Sequence, residues 1–110
     1  MAHTWITNLR HFMDDDGEIP EALPGSALRL VRFLGAIVQW VTIHTPAEYP
    51  WTNVPCRRNP GHRPCPGDIH AQFDAEETTI LWECPFCGAN GTIRGWEGTC
   101  WDRTDERPPP

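Results

Sequence analysis

Five cysteines, at positions 56, 65, 84, 87 and 100, restrict this chain more than any other feature. In Cys84-Pro85-Phe86-Cys87-Gly88 two residues separate the thiols. That gap lets both sulfurs face one tetrahedral cation at about 2.3 Å. Gly88 carries no Cβ and can take the positive φ that closes such a knuckle. One pair of this kind is weak evidence, and a second pair at a suitable distance makes it strong. Cys56-Arg57-Arg58-Asn59-Pro60-Gly61-His62-Arg63-Pro64-Cys65 supplies the second pair. Pro60-Gly61 can fold the loop back so that Cys56 and Cys65 complete a set of four thiolates. His62, separated from Cys65 by two residues, could replace Cys56 and give three thiolates and one imidazole. Both sets hold structural zinc. We adopt Cys56, Cys65, Cys84 and Cys87, with His62 as the alternative ligand. Cys100 has no partner beside it and reads as a spare, partly buried thiol.

The residues between and after the knuckles have β character. Asp68 to Phe73 alternates apolar and polar residues, Asp74 to Glu77 can turn, and Thr78 to Glu83 is β-prone. Ala89-Asn90-Gly91 then turns the chain into a third short strand, Thr92 to Trp96. The first fifty residues read as helical. Thr4 to Met13 sets Trp5, Ile6, Leu9 and Met13 near one helical face, and Asp14-Asp15-Asp16-Gly17 stops it. Ser26 is a candidate N-cap for a main helix running to about His44. Leu30, Leu34, Ile37 and Val41 form its stripe, which Phe33 and Trp40 widen. A helix this apolar needs a partner surface.

Knuckle, hairpin, knuckle and strand follow one another as in a zinc ribbon, and residues 56–101 resemble one. The run from Cys84 to Asp102 is also similar to small uncharacterised bacterial zinc-ribbon proteins. This resemblance implies a fold and a metal, and no activity. The expected fold is therefore α+β. A helical region, residues 1–50 with its main helix at 26–44, packs on a three-stranded antiparallel zinc ribbon at 51–101, and a disordered tail occupies 102–110.

Charge and targeting narrow the function further. Nine arginines and no lysine stand against fifteen acids, a formal net charge of −6, which excludes a generally cationic nucleic-acid binder. Residues 51–67 nevertheless hold Arg57, Arg58, Arg63 and His62 and no acid. These arginines could contact nucleic-acid phosphates or a protein partner. They could equally offset the net −2 of four thiolates on zinc. No secretory pattern is seen, and the apolar run 27–41 is interrupted by Arg29, Arg32 and Gln39. We therefore expect a soluble cytoplasmic protein without a membrane partner, in a compartment where clustered cysteines bind metal or do redox chemistry.

Catalysis is not expected. A closed four-ligand site leaves no position for water, and the His-x-Glu triplet of zinc deaminases is missing. The expectation is a small binding or adaptor module with a structural zinc, its partner a protein in preference to a nucleic acid. The competing class is a thiol–disulfide protein using Cys84 and Cys87. That chemistry wants a helix N-terminus at the first thiol, whereas Gly88-Ala89-Asn90-Gly91 and a strand pattern follow here.

Overall fold

The computed structural model describes residues 4–44, 51–57, 63–74 and 76–106. Within them the chain runs through strand β1 (Thr4–Asn8), a 3-10 turn (Leu9–Phe12), helix α1 (Gly25–His44) and strand β2 (Trp51–Pro55). Strands β3 (Asp68–Asp74), β4 (Thr79–Glu83) and β5 (Asn90–Arg94) follow, then a 3-10 turn at Thr104–Glu106. The strands form one sheet in the order β1-β5-β4-β3-β2. Every neighbouring pair is antiparallel except β1 with β5, which is parallel.

This overturns the expected three-stranded antiparallel ribbon: the protein is an α+β fold with one N-terminal helix and a five-stranded mixed sheet. Two strands account for the difference. The segment expected to open a helix at Thr4 is β1, paired with β5 from Thr4 opposite Asn90 to Asn8 opposite Arg94. Its local pattern suits a short amphipathic helix, but Thr4, Ile6 and Thr7 are β-branched and favour the strand once an edge is offered. The supposed helical stripe is not buried as a unit, since Ile6 is exposed while Leu9 is fully buried. The second addition, β2, buries Thr52 and Val54 and exposes Asn53 and Pro55. It lies at the sheet edge, where a proline costs no ladder hydrogen bond.

Register explains the core. Ala71, Trp82 and Gly91 lie opposite one another across β3, β4 and β5, and so do Phe73, Ile80 and Ile93. Side chains paired in this way share a face, and this is the face that α1 covers. The helix begins at Gly25, one residue ahead of Ser26, and Leu28 donates to the Pro24 carbonyl at 2.8 Å. Val31, Leu34, Ile37, Val38 and Val41 are buried at helical spacing, while Leu30, Phe33 and Trp40 pack around them partly exposed. Phe33 meets Trp82 edge to face, with centroids 5.5 Å apart. By length and composition alone α1 would suit a membrane span; its buried stripe is the use this fold makes of that apolarity.

The segment after β5 returns across the helix. Trp101 lies on α1 over Gly35, whose added Cβ would sit 2.3 Å from the indole. Arg103 N–H donates to the Thr42 hydroxyl at 2.9 Å, so the chain is tied to the helix beyond residue 101; residues 107–110 lie outside the described set. Gly35→Ala must displace Trp101, and overpacking of this kind costs about 1–3 kcal/mol. Gly25→Ala meets only Arg29 Nη1, at 3.5 Å, and is expected to stay within about 0.5 kcal/mol of wild type. Urea midpoints of the two variants check the pair.

Candidate metal centre

Antiparallel order decides where the cysteines meet. The β3–β4 hairpin turns at one end of the sheet, so the β2–β3 and β4–β5 connections both lie at the other. Cys56 follows β2 and Cys65 precedes β3; Cys84 follows β4 and Cys87 precedes β5. Two loops distant in sequence thus bring their thiols to one place. All four sulfurs lie within 4.8 Å of one another. Two close approaches run between the loops, Cys56 to Cys87 at 3.7 Å and Cys65 to Cys84 at 3.6 Å. A tetrahedron with metal–sulfur bonds of about 2.3 Å has edges of about 3.8 Å. The sulfurs are therefore close to the spacing that a single thiophilic cation requires.

Each loop is shaped by its own backbone. Cys84 N–H donates to the Ala89 carbonyl at 2.7 Å and Gly88 N–H to the Cys84 carbonyl at 2.8 Å. Gly88 sits at φ +81°, a conformation that side chains with a Cβ disfavour. In the other loop Cys56 N–H donates to the Gly67 carbonyl at 2.9 Å, drawing the ends of the long connection together. Gly67 N–H in turn points at the Cys65 sulfur, at 3.4 Å. A Cβ on Gly67 would lie 2.7 Å from the Cys84 sulfur and 2.7 Å from Phe86 Cβ. Sequence reasoning did not single out this glycine as part of the site, although Pro66-Gly67 ahead of a strand is a turn signal.

Burial and hydrogen bonds pull the thiols in opposite directions. Cys84 is fully buried, Cys56 and Cys65 nearly so, and Cys87 is half-buried. Burial pushes the Cys65 thiol above its ordinary value, against the Gly67 N–H. Cys87 bears the same cost of burial, but the Ala89 N–H and the neighbouring Cys56 thiol outweigh it and its pKa falls. A group of sulfurs that collects backbone N–H donors is prepared for thiolates, and so for a soft cation. Cys100 differs. Burial and the nearby Glu18 carboxylate raise its pKa, which keeps it a protonated thiol outside the cluster.

Of the other residues singled out in the sequence, Trp96 lies at the opposite end of the sheet, against the β3–β4 turn. Arg57, next to Cys56, is exposed and holds its guanidinium 5.9 Å above the Phe33 ring. Arg63, in the same loop two residues before Cys65, is exposed. Arg58 and the alternative ligand His62 lie outside the described residues. Trp82, Trp96 and Trp101 are buried, and the Trp96 indole donates to the Thr78 carbonyl at 3.3 Å. Phe86, at the tip of the second knuckle, is 67% exposed. After Cys87 the chain enters a turn and β5, so neither thiol of that pair heads a helix.

Gly67→Ala forces the Cys84 sulfur aside and is expected to weaken metal binding about 10- to 100-fold, the range for residues that orient ligands. Competition with a chromophoric chelator measures it.

Comparison with known protein families, with characterised proteins and with solved structures gives no significant match.

Proposed function

We propose that this protein is a small binding module whose four-cysteine centre holds a structural zinc ion and which engages a protein partner. The observation that carries the reading is the near-tetrahedral spacing of the four sulfurs across two loops. A redox-inert metal that accepts four thiolates satisfies that donor set, and zinc is the common one. Four ligands saturate it, which assigns the ion to cohesion instead of catalysis. A reducing compartment such as the cytoplasm keeps such thiols available to metal. The net charge of −6 favours a protein over a nucleic acid as the partner.

A specific observation supports nucleic acid as the second reading: Phe86, Arg57 and Arg63 are exposed on the metal loops. An aromatic face beside cations can stack on bases and contact phosphates. If it does, retention on DNA at low salt falls with a log–log slope of about −2 to −3. Arg57/Arg58/Arg63→Ala then abolishes retention with the fold intact. Absence of retention at low salt returns the assignment to a protein partner.

Purified protein should carry about one zinc per chain. Structural zinc contributes about 10–16 kcal/mol in small domains, so chelation is expected to remove the ordered structure of residues 56–101 in circular dichroism. Cys56→Ser, Cys65→Ser, Cys84→Ser and Cys87→Ser each lose the metal, and Cys100→Ser keeps it. The zinc-bound state carries fewer protons than the unfolded chain at any pH below the ordinary thiol value of about 8.5. The metal's contribution to stability therefore falls as pH falls, and a thermal melt series from pH 8 to pH 5 tests the sign. Compact, metal-free protein with reactive Cys84 and Cys87 would instead establish the thiol–disulfide alternative.

A further inference from the structure

The sheet has a second face, turned away from α1, open along its middle row although Thr79 on it is buried. Register sets Gln72, Leu81, Thr92 and Ile6 in one row across β3, β4, β5 and β1. Two aliphatic side chains stand open in that row, Ile6 at 75% and Leu81 at 43% exposure. Around Leu81 the face hollows into a concavity of about 440 Å³, walled by Gln72, Glu83 and Thr92. Strand alternation adds Asp68 and Asp74 to Glu83 on the same side. The arginine that alternation places there, Arg94, lies 4.0 Å from Glu77 and so is drawn toward an acid of its own chain. The face thus carries two open aliphatic side chains, Leu81 inside the sheet and Ile6 on its edge strand, with Asp68, Asp74 and Glu83 beside His70 along β3 and β4; apolar groups flanked by charge are the layout of a protein-binding surface.

Resting on the reading of this chain as a binding module, we infer that this face docks an amphipathic helix of another protein, with aliphatic side chains flanked by lysine or arginine. Charge selects the partner. A second copy would set Glu83, Asp68 and Asp74 against their own kind in chains that each carry −6, whereas a cationic helix complements them. Dimensions select the element. Five strands about 4.8 Å apart make a face about 19 Å wide, which accepts one helix of about 10–12 Å diameter. Such a helix would give the sheet the second covering layer that α1 supplies on the opposite side.

The test is an NMR titration of ¹⁵N-labelled, zinc-loaded full-length protein with a synthetic leucine/lysine peptide of about four helical turns, beside its leucine/glutamate counterpart. Saturable shifts centred on the amides of Gln72, Leu81 and Thr92, with the lysine peptide alone, are the expected result. Glu83→Lys and Ile6→Glu, both at exposed positions, should each weaken binding at least about tenfold, whereas Glu97→Lys in the loop after β5 should not. The inference is overturned if the glutamate peptide binds as well, or if shifts gather on Asp14–Asp16 or the cysteine loops. It is also overturned if Glu83→Lys binds like wild type or if no saturation occurs below about 1 mM. Zinc content of the same samples separates the two claims. Failure to bind with the metal in place removes this surface and leaves the zinc-held module standing, whereas compact metal-free protein removes the module itself.

Discussion

The convergence of four sulfurs at one end of the sheet is the constraint on which the rest of the structure depends. β-pairing alone leaves two loops side by side, the longer of them, residues 56–67, made up mostly of proline, glycine and arginine. A cation bound by both loops closes the chain between residues 56 and 87. For a cross-linked loop of roughly 30 residues, chain entropy alone corresponds to about 3–4 kcal/mol. Metal–thiolate bonding adds to that figure. The loops would then owe their order to the ion, and the strands that carry them would depend on the ion and the core together.

The core is shared between halves of the chain that look separate in the sequence. α1 covers β2, β3 and β4 on one face, Trp101 closes over Gly35, and Arg103 bonds to Thr42. β1 extends the sheet beyond β5. The acidic segment before the helix is also bound in: Cys100 N–H donates to the Gly17 carbonyl at 3.0 Å, and Arg10 bonds to the Glu97 carbonyl. A sheet of this size buries little apolar surface by itself. Here the N-terminal half supplies the missing layer, so the metal end and the helical layer stabilise the same sheet from different sides.

How much of this was legible follows from the range of each interaction. The β3–β4 hairpin and the knuckle at Cys84 to Gly88 are local, written in alternation and in a two-residue gap. α1 was legible because its period of apolar residues, Leu30 to Val41, spans about three turns. β1 was not, since its strand identity comes from pairing with β5 across most of the chain, and a helical reading of Thr4 to Met13 satisfied every local rule. β2 was hidden by its own Pro55, a residue that argues against a strand except at an edge. The assembly of Cys56 with Cys65 could be posed from spacing, but Gly67 could not be seen as part of the site. Its role is a steric contact with Cys84, whose position only the folded sheet defines.

Electrostatics ties the metal end to the open face. Four thiolates on a divalent ion carry a formal −2, so loading the site makes an already acidic chain more so. Arg57 and Arg63, close to Cys56 and Cys65 in sequence and exposed, carry charge of the opposite sign. At physiological ionic strength fields decay over about 8 Å. Asp68 and Glu83 border the cysteine loops and fall within that range, whereas Asp74 stands at the far end of β3. A loaded site would therefore deepen the acidity of the near end of the open face, so cohesion and recognition on this small sheet would be coupled through charge.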